Sequence, residues 1–247
     1  MVRIGVRKMM IETGEVETNT PEFQYGTQRF VYVDIETLPT QSADVIANIA
    51  ATIKPPGTLK KQDSIDAWHA EHGAAAAAEA TLKTSFDGGR GHVCTISWAK
   101  NGGEVITAHA TAIEQEAEVI AAFFADLDPY HSETLVGHNV TGFDIPFLLK
   151  RAVVLGLKLP PPSSLPRDPK PWGNACFDTM TAWAGQRGTI SMDNLSRALG
   201  IEGKGDFDGS MVAEAWANGE HAKIEEYCRH DVQVVRDIHR KFMAAGW

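Results

Sequence analysis

Apolar and polar positions succeed one another along the chain in two rhythms, and the changes of rhythm mark the elements. Phe30 to Ile35 (FVYVDI) is apolar at consecutive positions until Asp34. That is the pattern of a strand covered on both faces, hence a central strand. His92 to Ala99 and Glu104 to Ala108 flank Asn101-Gly102-Gly103, a hairpin signal. Thr134 to Gly137 and Ala175 to Met180 read as two further short strands. Elsewhere the period lengthens. Ile113, Ala117, Ile120, Phe124 and Leu127 recur at helical spacing and stop before Pro129. Phe147 to Leu155 follows as a helix, with Asp144 as its candidate N-cap and Pro146 in its first turn. Ser191 to Leu199, Gly209 to Ala217 and a long stretch from about His221 to Met243 are also helical, whereas the proline-rich Pro160 to Trp172 is a loop.

Two segments stand outside this alternation. Residues 1–28 are polar, mixed in charge and weakly patterned, which predicts a loosely attached arm on a single domain of residues 29–247. Residues 39–91 read as a helical insertion between strands: Ala43 to Ile53 is one helix, Lys54-Pro55-Pro56-Gly57 breaks it, and Ser64 to Thr81, with five consecutive alanines, is another. Three strands able to pair antiparallel, followed by alternating helices and strands, predict an α/β fold with a mixed central sheet flanked by helices. Its length and order resemble the ribonuclease H-like architecture.

Composition narrows the class of function. With 247 residues, 43% apolar and 22% charged, the chain is neither collagen-like nor low-complexity nor largely disordered. It has no apolar run long enough for a membrane helix, and its first residues, with Arg3, Arg7 and Lys8 before Glu12, do not read as a signal peptide. Cys94, Cys176 and Cys228 form no CxxC pair, which argues against a zinc site or a disulfide framework and for free thiols in a cytoplasmic protein. The formal net charge of −9 argues against a protein that coats duplex nucleic acid through its phosphates, since such proteins are usually basic. An acidic protein can still handle nucleic acid if metal ions meet the phosphates, so the placing of its carboxylates matters.

Asp34 and Glu36 lie two apart at the end of the central strand, where the pleat puts both on one face. Acids two apart recur by chance in so acidic a chain, and the spacing alone does not single them out. Asp231 interrupts the apolar stripe Ile224, Tyr227, Val234 or Val235, Ile238, Phe242 of the last helix, so a carboxylate is placed on the core-facing side. Burying a charge there demands a partner, a proton or a metal. Tyr227 sits one turn before Asp231 and shares its face, with core packing as the plain alternative. Asp144 closes Gly137-His138-Asn139-Val140-Thr141-Gly142-Phe143-Asp144, which leaves a strand and enters a helix. Asp178, at another strand end, reads as a cap or turn residue; His138 and Asn139 are candidates to contact substrate, although a strand-end histidine more often satisfies nearby backbone. Strand-end acids, a junction acid and a helix acid converging on one place suit two divalent cations about 3.5–4 Å apart. Hard oxygen ligands imply magnesium or manganese, and phosphodiester hydrolysis is the chemistry such a pair serves.

These residues resemble the DEDD superfamily of 3′-to-5′ exonucleases. Asp34-Ile35-Glu36-Thr37 is similar to its first motif, His138-Asn139 with Phe143-Asp144 to its second, and Tyr227-Cys228 with Asp231-Val232 to its third. Tyrosine four residues before the last aspartate resembles the Tyr-type subclass; the His-type would need histidine at 226, where this chain has Glu226. Within the subclass the chain is most similar to stand-alone predicted exonucleases related to the proofreading domain of family B DNA polymerases, phage-encoded members included. Leu195 to Gly203, Lys204 and Asp208-Gly209-Ser210 also resemble that group.

The resemblance implies that Asp34 bridges two Mg²⁺ or Mn²⁺ ions. Glu36 and Asp231 would complete the ion on the nucleophile side, and Asp144 would hold the other, partly through water. Tyr227 would position the attacking water. Thr37, Asn139 and Phe143 would lie near the terminal nucleotide, and Lys204 would reach a phosphate. The implied partner is the 3′ end of a single-stranded nucleic acid, DNA ahead of RNA, with no membrane and with replication or recombination proteins nearby, in the cytoplasm of a bacterium or a phage-infected host. A proofreading role would act on another protein's product, since the chain has no polymerase domain. The alternatives are a ribonuclease D-like RNA exonuclease and a catalytically silent nucleic-acid-binding module on the same fold. Lys54, Lys60 and Lys61 in the insertion, and Arg167 and Lys170 in the proline-rich loop, are candidate strand guides or merely solvated charges.

Overall fold

The computed structural model describes residues 28–170, 173–203 and 205–247. The expectations for the N-terminal arm up to residue 27, for Trp172 and for Lys204 lie outside the described residues. In chain order come β1 (Phe30–Leu38), α1 (Ala43–Thr52), α2 (Gln62–Leu82), β2 (His92–Lys100), β3 (Ile106–His109) and α3 (Glu116–Asp126). They are followed by β4 (Thr134–Gly137), α4 (Asp144–Leu155), β5 (Cys176–Asp178), α5 (Thr179–Ala184), α6 (Met192–Ala198), α7 (Val212–Ala217) and α8 (His221–Ala244).

The five strands form one sheet in the order β3-β2-β1-β4-β5, so β1 is central, as its two-sided apolar pattern requires. β2 is antiparallel to β1 and β3 to β2, while β4 and β5 run parallel to β1. The turn after β2 carries Asn101 at φ 50°, and its side-chain oxygen accepts from the Phe30 amide, pinning the hairpin to the start of β1. At the other end of β1 the pairing with β2 shifts register between Glu36 and Thr37, a bulge just beyond the two acids.

Helices cover both faces. Val31, Val33 and Ile35 of β1 pack with Val119, Ile120 and Phe123 of α3 and Leu148 of α4. Phe30 and Tyr32 point to the opposite face, against Val232, Val235 and Ile238 of α8 and Leu195 of α6. Each fully buried side chain of this size contributes about 1.5–3 kcal/mol of transfer free energy. The insertion is different: α1 and α2 contribute no buried residue. No helix among the described residues is long and apolar enough to cross a membrane.

Two local expectations are corrected. The strand expected to reach Met180 stops at Asp178, whose carboxylate accepts from the amides of Met180 (3.1 Å) and Thr181 (3.3 Å) and thereby starts α5. Asp144 is not the N-cap of α4. The helix begins on it, Phe143 holds the capping position without a side-chain cap, and the Asp144 carboxylate is buried instead.

Candidate active site

Alternation along β1 places Phe30, Tyr32, Asp34 and Glu36 on one face, the face that α8 covers. The first two present rings and the last two carboxylates. Asp34, Glu36 and Cys228 offer ligand atoms that all lie within 4.8 Å of one another. Among the described residues this is the one group of three or more such donors. Cys228 Sγ lies 3.4 Å from the Asp34 carbonyl oxygen and 3.5 Å from Asp34 Oδ2, and Cys94 Sγ lies 3.4 Å from the Glu36 carbonyl. Burial first, then the neighbouring carboxylates, push both thiols well above their usual range, so each stays protonated and donates. Cysteine in this cluster was not anticipated; only its position, one residue after Tyr227 and three before Asp231, could have pointed to it.

α8 brings Asp231 and Tyr227 to the same place. Asp231 is 2% exposed. The Tyr227 hydroxyl hydrogen-bonds to it, and its ring lies 5.1 Å from that of Phe207. Burial, followed by the charges of Asp231, Glu36 and Asp34, raises the phenol far above its ordinary value. The hydroxyl therefore remains a donor. Asp144 lies outside the group of three; hydrogen bonds from its own amide and that of Ile35 hold it beside β1. Burial chiefly, with the charge of Asp178, raises its pKa to about 7 against those two hydrogen bonds.

The loop from β4 to α4 is shaped from outside itself. Asn139 takes the left-handed conformation, φ 64°. The Asp178 carboxylate accepts from the amides of Asn139 (3.0 Å) and Thr141 (3.0 Å) and from the Thr141 hydroxyl (2.7 Å). Asp178 thus caps α5, as expected, and also clamps the second motif. His138 is satisfied locally, its Nε2 donating to the Ile190 carbonyl at 2.8 Å and its Nδ1 lying 3.0 Å from the Thr179 hydroxyl.

Phe143 packs at 6.3 Å, edge to face, against Phe86, which is 73% exposed. Phe86 ends a 3-10 turn, Lys83–Phe86, that follows α2 directly. The turn is tied to the end of β1: the Thr37 hydroxyl donates to the Ser85 carbonyl (2.8 Å), and the Thr40 amide donates to the Thr84 hydroxyl (2.8 Å). Behind it Arg151 grips Glu116 through two bonds of 2.7 and 2.6 Å, and its Nη1 lies 3.4 Å from the Gly88 carbonyl. Burial raises the Glu116 pKa, but hydrogen bonds from His92, Arg151 and the Val93 amide outweigh it and hold the acid ionised. Neither Phe86 nor this ion pair was foreseen. The one sequence signal was an aromatic residue before the glycine-rich Asp87-Gly88-Gly89-Arg90-Gly91 that precedes a strand.

A mixed sheet with helices on both faces and acids at the end of its central strand defines the class. Sequence comparison defines the family: residues 91–235, more than half of the chain, match the predicted 3'-5' exonucleases related to the exonuclease domain of PolB, and the chain belongs to that family. The matched span holds Asp144, Tyr227 and Asp231, while Asp34 and Glu36 precede it. A DNA polymerase of Pyrococcus glycovorans is 26% identical over 177 residues, covering 62% of this chain and 22% of the polymerase. DNA polymerase 1 of Pyrococcus abyssi is 25% identical over 178 residues, with 62% and 23% covered. The family B DNA polymerase from the hyperthermophilic archaeon Pyrobaculum calidifontis shares the fold, with a TM-score of 0.58 at 17% identity over 88% of this chain and 25% of that one. The fold is thus the ribonuclease H-like one expected, and the chain spans at most a quarter of the length of these three relatives.

Proposed function

We propose that the protein removes nucleotides from the 3′ ends of single-stranded DNA by hydrolysis assisted by two divalent cations. The observation that carries this reading is the convergence of Asp34 and Glu36 with the buried Tyr227–Asp231 pair at one end of β1. A donor set of carboxylates suits magnesium or manganese, and Asp34, Glu36, Asp231 and Asp144 would hold them. When bound, such ions supply the positive charge that a phosphodiester needs among these acids, and they acidify the attacking water.

The rest of the work falls to the chain itself. Tyr227 is kept neutral by its surroundings and donates to Asp231, which leaves a lone pair of its oxygen for the attacking water. It orients that water without taking its proton. Phe86 and Phe143 offer a ring pair at the edge of the acidic cluster, a platform for a terminal base, alongside Asn139 in its clamped loop. Such aromatic platforms are the means by which proteins hold unpaired bases, which favours single strands. The relatives, named as DNA polymerases, favour DNA.

Incubating the protein with 3′-labelled and 5′-labelled single strands of DNA and RNA, in magnesium, in manganese and in excess chelator, tests the reading. Early release of labelled mononucleotide from the 3′ end, a shrinking ladder from the 5′ label and silence in chelator are expected. Internal fragments, or full activity in chelator, would overturn it, and faster cleavage of RNA would move the substrate to RNA. Phe86→Ala should raise KM for a single strand about 5- to 100-fold with kcat little changed, the scale of losing one base–aromatic stack. An unchanged KM would remove the platform from the account.

A further inference from the structure

The helical insertion has an architecture of its own. α1 and α2 bury no residue, and α2, at 21 residues, is about 30 Å long. Its C-terminal end runs into the Lys83–Phe86 turn that is bonded to β1 beside the acids. Its N-terminal end, with the connection 53–61 from α1, is therefore the far end of an arm rooted at the candidate active site. That connection has an unusual charge pattern: between Asp44 and Asp63 there is no acidic residue, and Lys54, Lys60 and Lys61 are all present. All three are exposed. None has an ion pair or side-chain hydrogen bond among the described residues.

The other basic stretch behaves differently. Arg167 donates to the carbonyls of Leu165 and Pro160, and Lys170 pairs with Asp168 at 2.8 Å. Those cations are spent within their own loop. Closer to the site Lys83 pairs with Glu79, Arg90 with Asp87 and Lys150 with Asp87. In a protein of formal charge −9, three cations at the tip of an arm, paired neither with their neighbours nor with Asp63 and Asp66 at the start of α2, are where a polyanion is attracted.

We infer that the α1–α2 arm is a second nucleic-acid contact, in which Lys54, Lys60 and Lys61 grip the sugar-phosphate backbone of the strand whose 3′ end lies in the active site. This rests on the exonuclease reading above and adds to it a length requirement. A stacked single strand rising about 3.4 Å per nucleotide reaches the tip after about nine nucleotides. A trinucleotide falls short. The contact reads phosphates, so it is indifferent to sequence and sensitive to salt.

The test compares the wild-type protein with the Lys54→Ala/Lys60→Ala/Lys61→Ala variant and with the corresponding triple arginine variant. Affinity for a labelled single strand of about 30 nucleotides is measured by fluorescence anisotropy across salt concentrations, and kcat/KM is measured on that strand and on a trinucleotide. Each lysine–phosphate contact contributes about 0.7 to the slope of log affinity against log salt, so the alanine variant should lose about 2 from that slope and bind the long strand about tenfold more weakly at low salt. Arginine should keep the slope, and the trinucleotide should be cut at the wild-type rate by all three proteins. An unchanged slope, or equal losses on long and short strands, would overturn the inference. If the wild-type protein cuts nothing, the exonuclease reading fails by itself, because binding and its salt dependence are still read without turnover.

Discussion

Asp231 and His239 sit on the same buried stripe of α8, two turns apart, and both interrupt an apolar pattern with a polar side chain. What they meet on β1 and around it is different. Asp231 faces the Tyr227 hydroxyl among the carboxylates of Asp34 and Glu36. His239 meets the Tyr32 hydroxyl at 3.1 Å and is enclosed by the rings of Phe30 (4.7 Å) and Phe177 (4.6 Å). Its Nε2 has no hydrogen-bond partner among the described residues, and burial lowers its pKa to about 4, so it is a neutral ring within a core. A polar residue in an apolar stripe therefore marks a site only where the opposing strand also brings charge; where that strand brings rings, the same pattern marks packing.

The comparison breaks most sharply at the acidic end. Asp34→Asn keeps the size of the side chain and removes its charge, and should lower single-turnover cleavage by about 10³-fold or more with little change in thermal midpoint. Near-normal cleavage would show that the strand acids are not part of the machinery. Tyr227→Phe keeps the ring against Phe207 and removes the hydroxyl, so a smaller loss is expected, about 10- to 1000-fold in kcat. A loss of stability with an unchanged rate would place Tyr227 with His239, in packing.

At the aromatic end the expected effect is on stability and not on rate. The unfolded chain protonates His239 near pH 6.5, whereas the folded protein resists protonation down to about 4. Between those values the unfolded state binds the extra proton, so stability is lost as pH falls from about 6.5 to about 4, by on the order of 3 kcal/mol. His239→Gln does not titrate and should flatten that part of a urea-unfolding series against pH while leaving cleavage at neutral pH unchanged. A variant with the wild-type acid sensitivity would assign the effect to another group.

The same contrast explains how much was legible beforehand. The central strand and last helix were legible because consecutive apolar residues and an apolar stripe are local consequences of being covered. Of the site residues only Asp231 stands out locally, as a carboxylate where burial is costly; Asp34, Glu36 and Tyr227 gain their meaning from the resemblance that joins them to it. His239 carries a similar local signal, and only the residues opposite it tell the two apart. The position of Asp178 at a strand end predicts a cap or turn residue, yet its second task, holding Asn139 and Thr141, joins segments far apart in sequence. The local context of Asp144 suits a cap as well as a metal-binding acid, and burial beside the Ile35 amide, which turns its carboxylate inward, removes the cap. Phe86, Cys228 and the Arg151–Glu116 pair gain their places from tertiary contacts that no short window contains.

The central claim is that α8 delivers a functional carboxylate to the acids of β1. Single-turnover release from a 3′-labelled single strand, measured together with the thermal midpoint for wild type and Asp231→Ala, tests it most directly. The account predicts that the variant still folds, as a cooperative transition shows, and that cleavage is nearly abolished. An Asp231→Ala protein that cuts at the wild-type rate would contradict it.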